Sequence, residues 1–170
     1  MLTAARVLRE DLVWVRIPAL RMLAETLKKF GYPETLAHEY RQWLVLVHPK
    51  QATLGSLLLI RKGNETRFSE IPVAAFEELA VVIPQIERTL QALFQYDKIN
   101  YFMLMMVNPE PHFHVVPRYA TDRQFAQVSF RDIYWPKAPD LLKMNEQHQL
   151  SNEVFGALVE HIRNGFMVNA

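Results

Sequence analysis

The chain has no cysteine, which excludes a disulfide framework and any thiolate metal site. It also lacks an excess of charge of either sign. Nineteen Lys and Arg stand against 18 Asp and Glu, for a formal net charge of +1. That balance gives no electrostatic case for a nucleic-acid binder or a polyanionic tail. No apolar run approaches the roughly 20 residues that span a bilayer. Arg6, Arg9, Glu10 and Asp11 interrupt the first residues, where a signal peptide keeps an apolar core. The resulting expectation is a cytoplasmic protein with neither a membrane nor a nucleic acid as partner. There is no internal repeat and no low-complexity tract. What remains is 170 residues, half of them hydrophobic, enough for one domain with a sizeable core and short for two.

Residues 2–17 carry Val7, Leu8, Leu12 and Val15 in a helical stripe. Beyond Pro18, Leu20, Leu23, Leu27 and Phe30 continue at helical spacing, and Gly31 is a natural stop. Basic residues outnumber acids here, which allows a membrane-surface or targeting segment; an amphipathic helix laid on the domain is the preferred reading. Residues 1–30 are therefore expected as an N-terminal helical appendage and 31–170 as a single domain. Residues 40–47, dense in Trp, Val and Leu, read as a buried strand, and residues 56–60 as its antiparallel partner. A helix is expected from Pro72, welcome at a first helical position, to about residue 96. Its stripe is Phe76, Leu79, Ala80, Ile83, Ile86, Leu90, Leu93 and Phe94, with a kink at Pro84. The methionine-rich residues 99–107 suggest a core strand buried on both faces, ended by Asn108, rather than a metal box. Phe130, Tyr134 and Trp135 are expected over the sheet edge. Ser151 caps a final helix running to residue 166, and His148 and His161 are expected in solvent.

The chemistry concentrates between Asn108 and Arg118. His112 and His114 sit one residue apart in a segment that is otherwise aromatic or β-branched, and so extended. In a strand, side chains two apart share a face at roughly 7 Å, which turns Phe113 and Val115 the other way, into a core. Two imidazoles on one face can divide labour on a single phosphate, one attacking phosphorus and the other binding an oxygen. Spacing alone leaves two further readings open: a satisfied core histidine beside a surface one, and a two-histidine metal pair. With Glu110, the two rings form a set able to hold Fe(II), Mn(II) or Zn(II). Pro109 and Pro111 argue against a regular strand reaching Glu110.

His112-Phe-His114-Val-Val-Pro-Arg118 resembles the signature strand of the histidine-triad (HIT) family of nucleotide hydrolases and transferases, in particular its diadenosine polyphosphate hydrolase-like members. Aligned on Pro117 and Arg118, His112 falls on the middle histidine of the triad and His114 on the last. Gly55-Ser-Leu-Leu-Leu-Ile-Arg-Lys62 is similar to the family's preceding strand, and Arg67-Phe-Ser-Glu-Ile71 to the segment that introduces its long helix. The resemblance implies an α+β fold, a HIT-like antiparallel sheet with a long helix, here with N- and C-terminal helical segments added. It implies attack by His112 on a nucleotide α-phosphorus through a covalent nucleotidyl-histidine, with His114 binding the phosphoryl oxygens. Asn108 and Arg118 are candidate donors to the substrate, although Arg118 has a second reading as a strand-end ion pair. Glu110, Ser56 and His48 occupy further positions that border the nucleotide. No tightly bound cofactor is implied, with Mg²⁺ as a companion of the nucleotide, and a homodimer is the expected assembly. The chain departs from the pattern at Glu110 and Ser56, which replace histidines, and in lacking the Gly-Gln-Ser/Thr segment before the triad. Those departures keep a nucleotide-binding protein without turnover as the alternative.

Overall fold

The computed structural model describes residues 18–168; the helix expected over residues 2–17 lies outside them. Helix α1 (Pro18–Lys29) leads into strands β1 (Leu36–Glu39), β2 (Trp43–Val47) and β3 (Leu57–Arg61). Helix α2 (Val73–Phe94) follows, then β4 (Lys98–Phe102), β5 (His112–Arg118), the hairpin β6 (Arg123–Phe125) and β7 (Val128–Phe130), the short α3 (Leu141–Met144) and α4 (Asn152–Val168). The first five strands form one antiparallel sheet in the order β1-β2-β3-β5-β4. This is the α+β architecture expected, with β1 as an additional edge strand.

The two-residue period of a strand decides what each sheet face meets. Trp43, Val45 and Val47 of β2, with Leu57 and Leu59 of β3, pack on Ile86, Leu90 and Phe94 of α2 and on Leu158, Ile162 and Phe166 of α4. Leu44, Leu46, Leu58 and Ile60, the alternate residues, form a second core with Leu27, Phe30 and Tyr32. Both central strands are thus buried throughout. Trp43 satisfies its ring N–H on the Ala75 carbonyl at 2.8 Å, which joins β2 to the first turn of α2. Gly55, at φ +82°, enters β3 beneath Phe94; a Cβ there would lie 2.7 Å from that ring.

Several expectations change. The last turn of α1 is not an appendage, because Leu27 and Phe30 close one face of the sheet. Strand β4 ends at Phe102, not at Asn108, and Leu104, Met106 and Val107 are exposed rather than buried. Among the described residues β4 is a sheet edge, and no neighbour beyond it extends the ladder to hold these residues in the sheet. His148 is half-buried, its ring 4.9 Å from that of Phe130. The His161 ring lies between Phe125 and Phe94, at 5.4 and 5.8 Å, although the residue is exposed. Among the described residues no helix is long and apolar enough to cross a membrane.

Truncating a buried leucine removes transfer free energy and leaves a cavity. Leu27→Ala is therefore expected to lower the unfolding free energy by about 2–4 kcal/mol, read from urea denaturation. A loss below about 0.5 kcal/mol would restore the appendage reading.

Candidate active site

Strand β5 lies between β3 and β4, with His112 opposite Ile60 and His114 opposite Leu58 and Phe102. Ile60 and Leu58 face α1, so both histidines share that face, while Val115 points into the opposite core. Helix α1 covers only part of the face. The rest forms a cavity of about 530 Å³ that His112, His114, His48 and Asn108 all line.

Four rings stand in series here. Phe30 and His48 have centroids 5.7 Å apart, His48 and His114 5.5 Å, and His114 and His112 5.3 Å. Backbone groups decide the tautomers of two of them. The Glu110 carbonyl lies 2.7 Å from His112 Nδ1. A carbonyl can only accept, so Nδ1 carries a proton, and in the neutral ring the free lone pair is on Nε2. At His48 the pattern is reversed: Nδ1 accepts from the Lys50 N–H at 3.0 Å, which leaves the proton of the neutral ring on Nε2. Burial, with the neighbouring His114 next in weight, pushes His48 down to about 3. Burial and then His112 push His114 down to about 4. Both rings are neutral at pH 7, one of them a fixed N–H donor.

The remaining candidates separate. Asn108 lies on the cavity wall, its Oδ1 accepting from Lys29 Nζ at 3.2 Å. Glu110 contributes its carbonyl to His112, but its carboxylate is buried against α1, where Thr26 Oγ1 donates to Oε2 at 3.0 Å. Among the described residues no group of three or more His, Asp or Glu side chains comes together to hold a metal, so the His/His/Glu metal reading has no geometric support. Arg118 does not line the cavity. It is buried in a two-point pair with Asp132, at 2.5 and 3.1 Å, and also donates to Asn100 Oδ1 and the Lys137 carbonyl. Its reading as an ion pair replaces its reading as a substrate donor. Ser56 is likewise engaged away from the cavity, donating to the Thr53 carbonyl at 2.8 Å and accepting from the Thr53 N–H at 3.1 Å.

Other contributors were invisible in the motif. Gln51 is fully buried and organises the loop that carries His48. Its amide donates to the His48 and Ser56 carbonyls, and its oxygen accepts from the Gly55 and Ser56 N–H groups. Lys29, Phe30 and Lys50 reach the cavity from α1 and from that loop, and Leu141, Leu142 and Asn145 from α3 and its end. No spacing rule pairs these segments with β5.

The two depressed histidines couple folding to pH. Free imidazole titrates near 6.5, so as the pH falls the unfolded chain takes up protons that folded His48 and His114 refuse. Their contribution to stability is complete above about pH 6.5 and drains as the pH drops toward the folded values of about 4 and about 3. The urea midpoint is therefore expected to fall between about pH 7 and 5. The ring protons of these two residues should show no titration over that interval by NMR. A titration near pH 6.5 at either ring would show that it is not desolvated.

No protein-family model matches the chain, and no curated protein sequence matches it. Solved structures do. A histidine triad protein from Marinobacter aquaeolei is similar at a TM-score of 0.60 and 18% identity, over 86% of this chain and 96% of that one. One from Bradyrhizobium japonicum is similar at 0.58 and 18%, over 83% and 94%. A hypothetical histidine triad nucleotide-binding protein from Sulfolobus tokodaii is similar at 0.58 and 17%, over 79% and 84%. With the sheet order, the long α2 and the paired histidines of β5, these likenesses establish that the chain has the histidine-triad fold.

Proposed function

We propose that this protein is a nucleotide hydrolase or nucleotidyl transferase that acts at an α-phosphate through a covalent nucleotidyl-histidine on His112. The observation that carries the reading is the 2.7 Å contact between His112 Nδ1 and the Glu110 carbonyl. It commits the ring to one tautomer and leaves Nε2 as the nucleophilic atom, in a cavity large enough for part of a nucleotide.

In the first step Nε2 forms a bond to phosphorus, and the bond to the leaving oxygen breaks with its electron pair. The ring becomes cationic while Nδ1–H stays on the Glu110 carbonyl, which stabilises the charge as it develops. In the second step the oxygen of water or of another acceptor attacks phosphorus, the N–P bond breaks, and the acceptor's proton is released. Phosphoryl transfer asks mainly for positioning and charge neutralisation. His114, neutral and adjacent, meets the phosphoryl oxygens, and Lys29, Asn108 and Lys50 supply polar groups at the cavity wall. Mg²⁺ as a companion of the nucleotide and a homodimeric assembly belong to the same proposal.

Substrate mixed with the protein and quenched rapidly should leave a nucleoside monophosphate on His112, labile in acid and stable in base. His112→Ala should abolish adduct and turnover while nucleotide binding survives. His114→Ala should slow the reaction by about 10²–10³-fold, because an electrostatic contact is lost but the attacking atom is kept. Unchanged activity in both variants would refute the assignment. Binding without adduct or turnover in the unaltered protein would leave a nucleotide-binding protein.

Assembly is checked separately. A dimer is expected by sedimentation at micromolar concentration, and a monomer there would remove that part of the proposal.

A further inference from the structure

The proposed reaction rests on the Glu110 carbonyl, which stands in a stretch without regular structure. Residues 103–111, between β4 and β5, form no helix, strand or hydrogen-bonded turn. No ladder holds the Glu110 peptide, and a carbonyl free to swing would not commit the His112 ring to one tautomer. Helix α1 supplies a restraint. Thr26 and Lys29 stand three residues apart, on one face of that helix. Lys29 Nζ donates to Asn108 Oδ1 at 3.2 Å, and Thr26 Oγ1 donates to Glu110 Oε2 at 3.0 Å. On the other side of Glu110, the Pro111 carbonyl accepts the Arg61 N–H of β3 at 2.9 Å. The residue whose carbonyl meets His112 is thus pinned between α1 and the sheet.

The two contacts from α1 differ in weight. The Lys29–Asn108 bond is exposed, where water competes for both partners. Thr26 and Glu110 are 5% and 1% exposed, and a hydroxyl on a buried carboxylate is a strong contact that is costly to lose. The second carboxylate oxygen, Oε1, is buried with no partner among the described residues. A buried acceptor left unpaired requires an explanation, and packing does not give one here. Leu27 and Phe30 already dock α1 on β2 and β3, so the helix needs no hydroxyl at position 26 to pack. The link to His112 does give one. The carboxylate and the carbonyl of Glu110 branch from one Cα, and that carbonyl lies 2.7 Å from His112 Nδ1 in a buried contact. Releasing the carboxylate frees the peptide to turn, so the carbonyl leaves Nδ1 and the ring's proton can occupy Nε2. A proton there takes the lone pair that attack on phosphorus needs.

We infer that Thr26 is a positioning residue for His112 and acts through Glu110: helix α1 holds the carboxylate, and the carbonyl of the same residue holds the ring. The glutamate at position 110 is then the device that joins α1 to the site. The inference rests on the reading of His112 as nucleophile, and ring and reaction are read separately. Two-bond proton–nitrogen NMR, at a pH where His112 is neutral, reports which nitrogen carries the proton. Adenosine 5′-(4-nitrophenyl phosphate), mixed and quenched rapidly, reports the rate of adduct formation on His112, and titration with adenosine monophosphate reports binding. In Thr26→Val, which removes the hydroxyl and keeps the branched shape, the Nδ1–H form should give way to Nε2–H. Adduct formation should slow by about 10–100-fold, the range lost when the orienting partner of a metal-bound histidine is removed, with binding of adenosine monophosphate unchanged. Thr26→Ser should restore both. Glu110→Ala should match Thr26→Val, and the double variant Thr26→Val, Glu110→Ala should be no worse than either alone, because the two residues act as one unit. Leu27→Ala weakens α1 without touching Glu110; it should lower the melting temperature and leave the tautomer in place.

An unmoved tautomer in Thr26→Val, additive losses in the double variant, or no rescue by Thr26→Ser would each overturn the inference. So would the same tautomer change in Leu27→Ala, because helix packing in general would then hold the ring. Should Thr26→Val fail to fold, Glu110→Ala and Glu110→Gln decide between them, since glutamine keeps an acceptor for the hydroxyl. Loss of the Nδ1–H form in the first and its retention in the second are expected, and any other pairing overturns the inference. A tautomer change in Thr26→Val without any adduct in the parent would retain the positioning and remove the hydrolase reading. An adduct in the parent with an unmoved tautomer in the variant would do the reverse.

Discussion

Everything in this molecule depends on two central strands that have no face left for water. Strands β2 and β3 are apolar at consecutive positions and buried at all of them, so a helix on one side of the sheet cannot be enough. The residues at 43, 45 and 47 take α2 and α4, and those at 44 and 46 require α1. Because α1 is short and ends at Lys29, it covers β2 and β3 and stops short of the far part of β5. The site is the portion of the second face that α1 leaves open. Its histidines project there for the same reason that Leu58 and Ile60 project toward α1, since they are register partners on neighbouring strands.

The chemistry follows from that position. A histidine on a sheet face roofed by other side chains is dry, and dryness disfavours its charged form. His48 and His114 are held neutral in this way, and a neutral ring has one donor and one acceptor whose order is open until a partner fixes it. At His112 the partner is a carbonyl two residues earlier, and at His48 an N–H two residues later. Both partners are backbone groups of loops that prolines or a buried amide stiffen: Pro109 and Pro111 around Glu110, and Gln51 within the loop after His48. Local loop geometry thus determines which nitrogen carries the proton of the neutral ring, while the sheet determines only where the ring stands.

Legibility in the sequence tracked this division. Alternation at 112–116 was enough to assign the faces of β5, because a strand's parity is a local property. The Gly31 stop was local as well, and so was the later part of the α2 stripe at Ile86, Leu90 and Phe94, whereas Phe76 and Ala80 are exposed and Ala75 and Val82 take the core instead. Strand β1, Leu-Ala-His-Glu, has no run of β-branched residues and exists because β2 offers it an edge. The stretch 103–107 looked like a strand because it is apolar, but apolarity does not distinguish a buried residue from one lining a cavity. The partner of Arg118 lies 14 residues away, beyond two hairpin strands, so the motif could supply the arginine without saying where its charge goes. The segment bearing Leu141 and Leu142 carried no periodic signal at all, since α3 is four residues long.

The departures from the triad pattern divide in the same way. At position 110 the motif's histidine is replaced by glutamate, yet the group that touches His112 is the carbonyl, which every residue has. At position 56 serine stands for histidine, and its carbonyl accepts the backbone N–H of His48 at 3.0 Å, while the His48 ring takes its tautomer from the Lys50 N–H. The side chains freed from the pattern have been taken up by new partners, Glu110 by Thr26 on α1 and Ser56 by Thr53 in its own loop. A replacement that preserves the backbone path preserves the tautomer of the neighbouring ring, whatever it does to the side chain. What these replacements alter is the side chains near the cavity, with two imidazoles fewer than the motif calls for. The tautomer of His112 is therefore insulated from the sequence changes that surround it, and the polarity around the cavity is not.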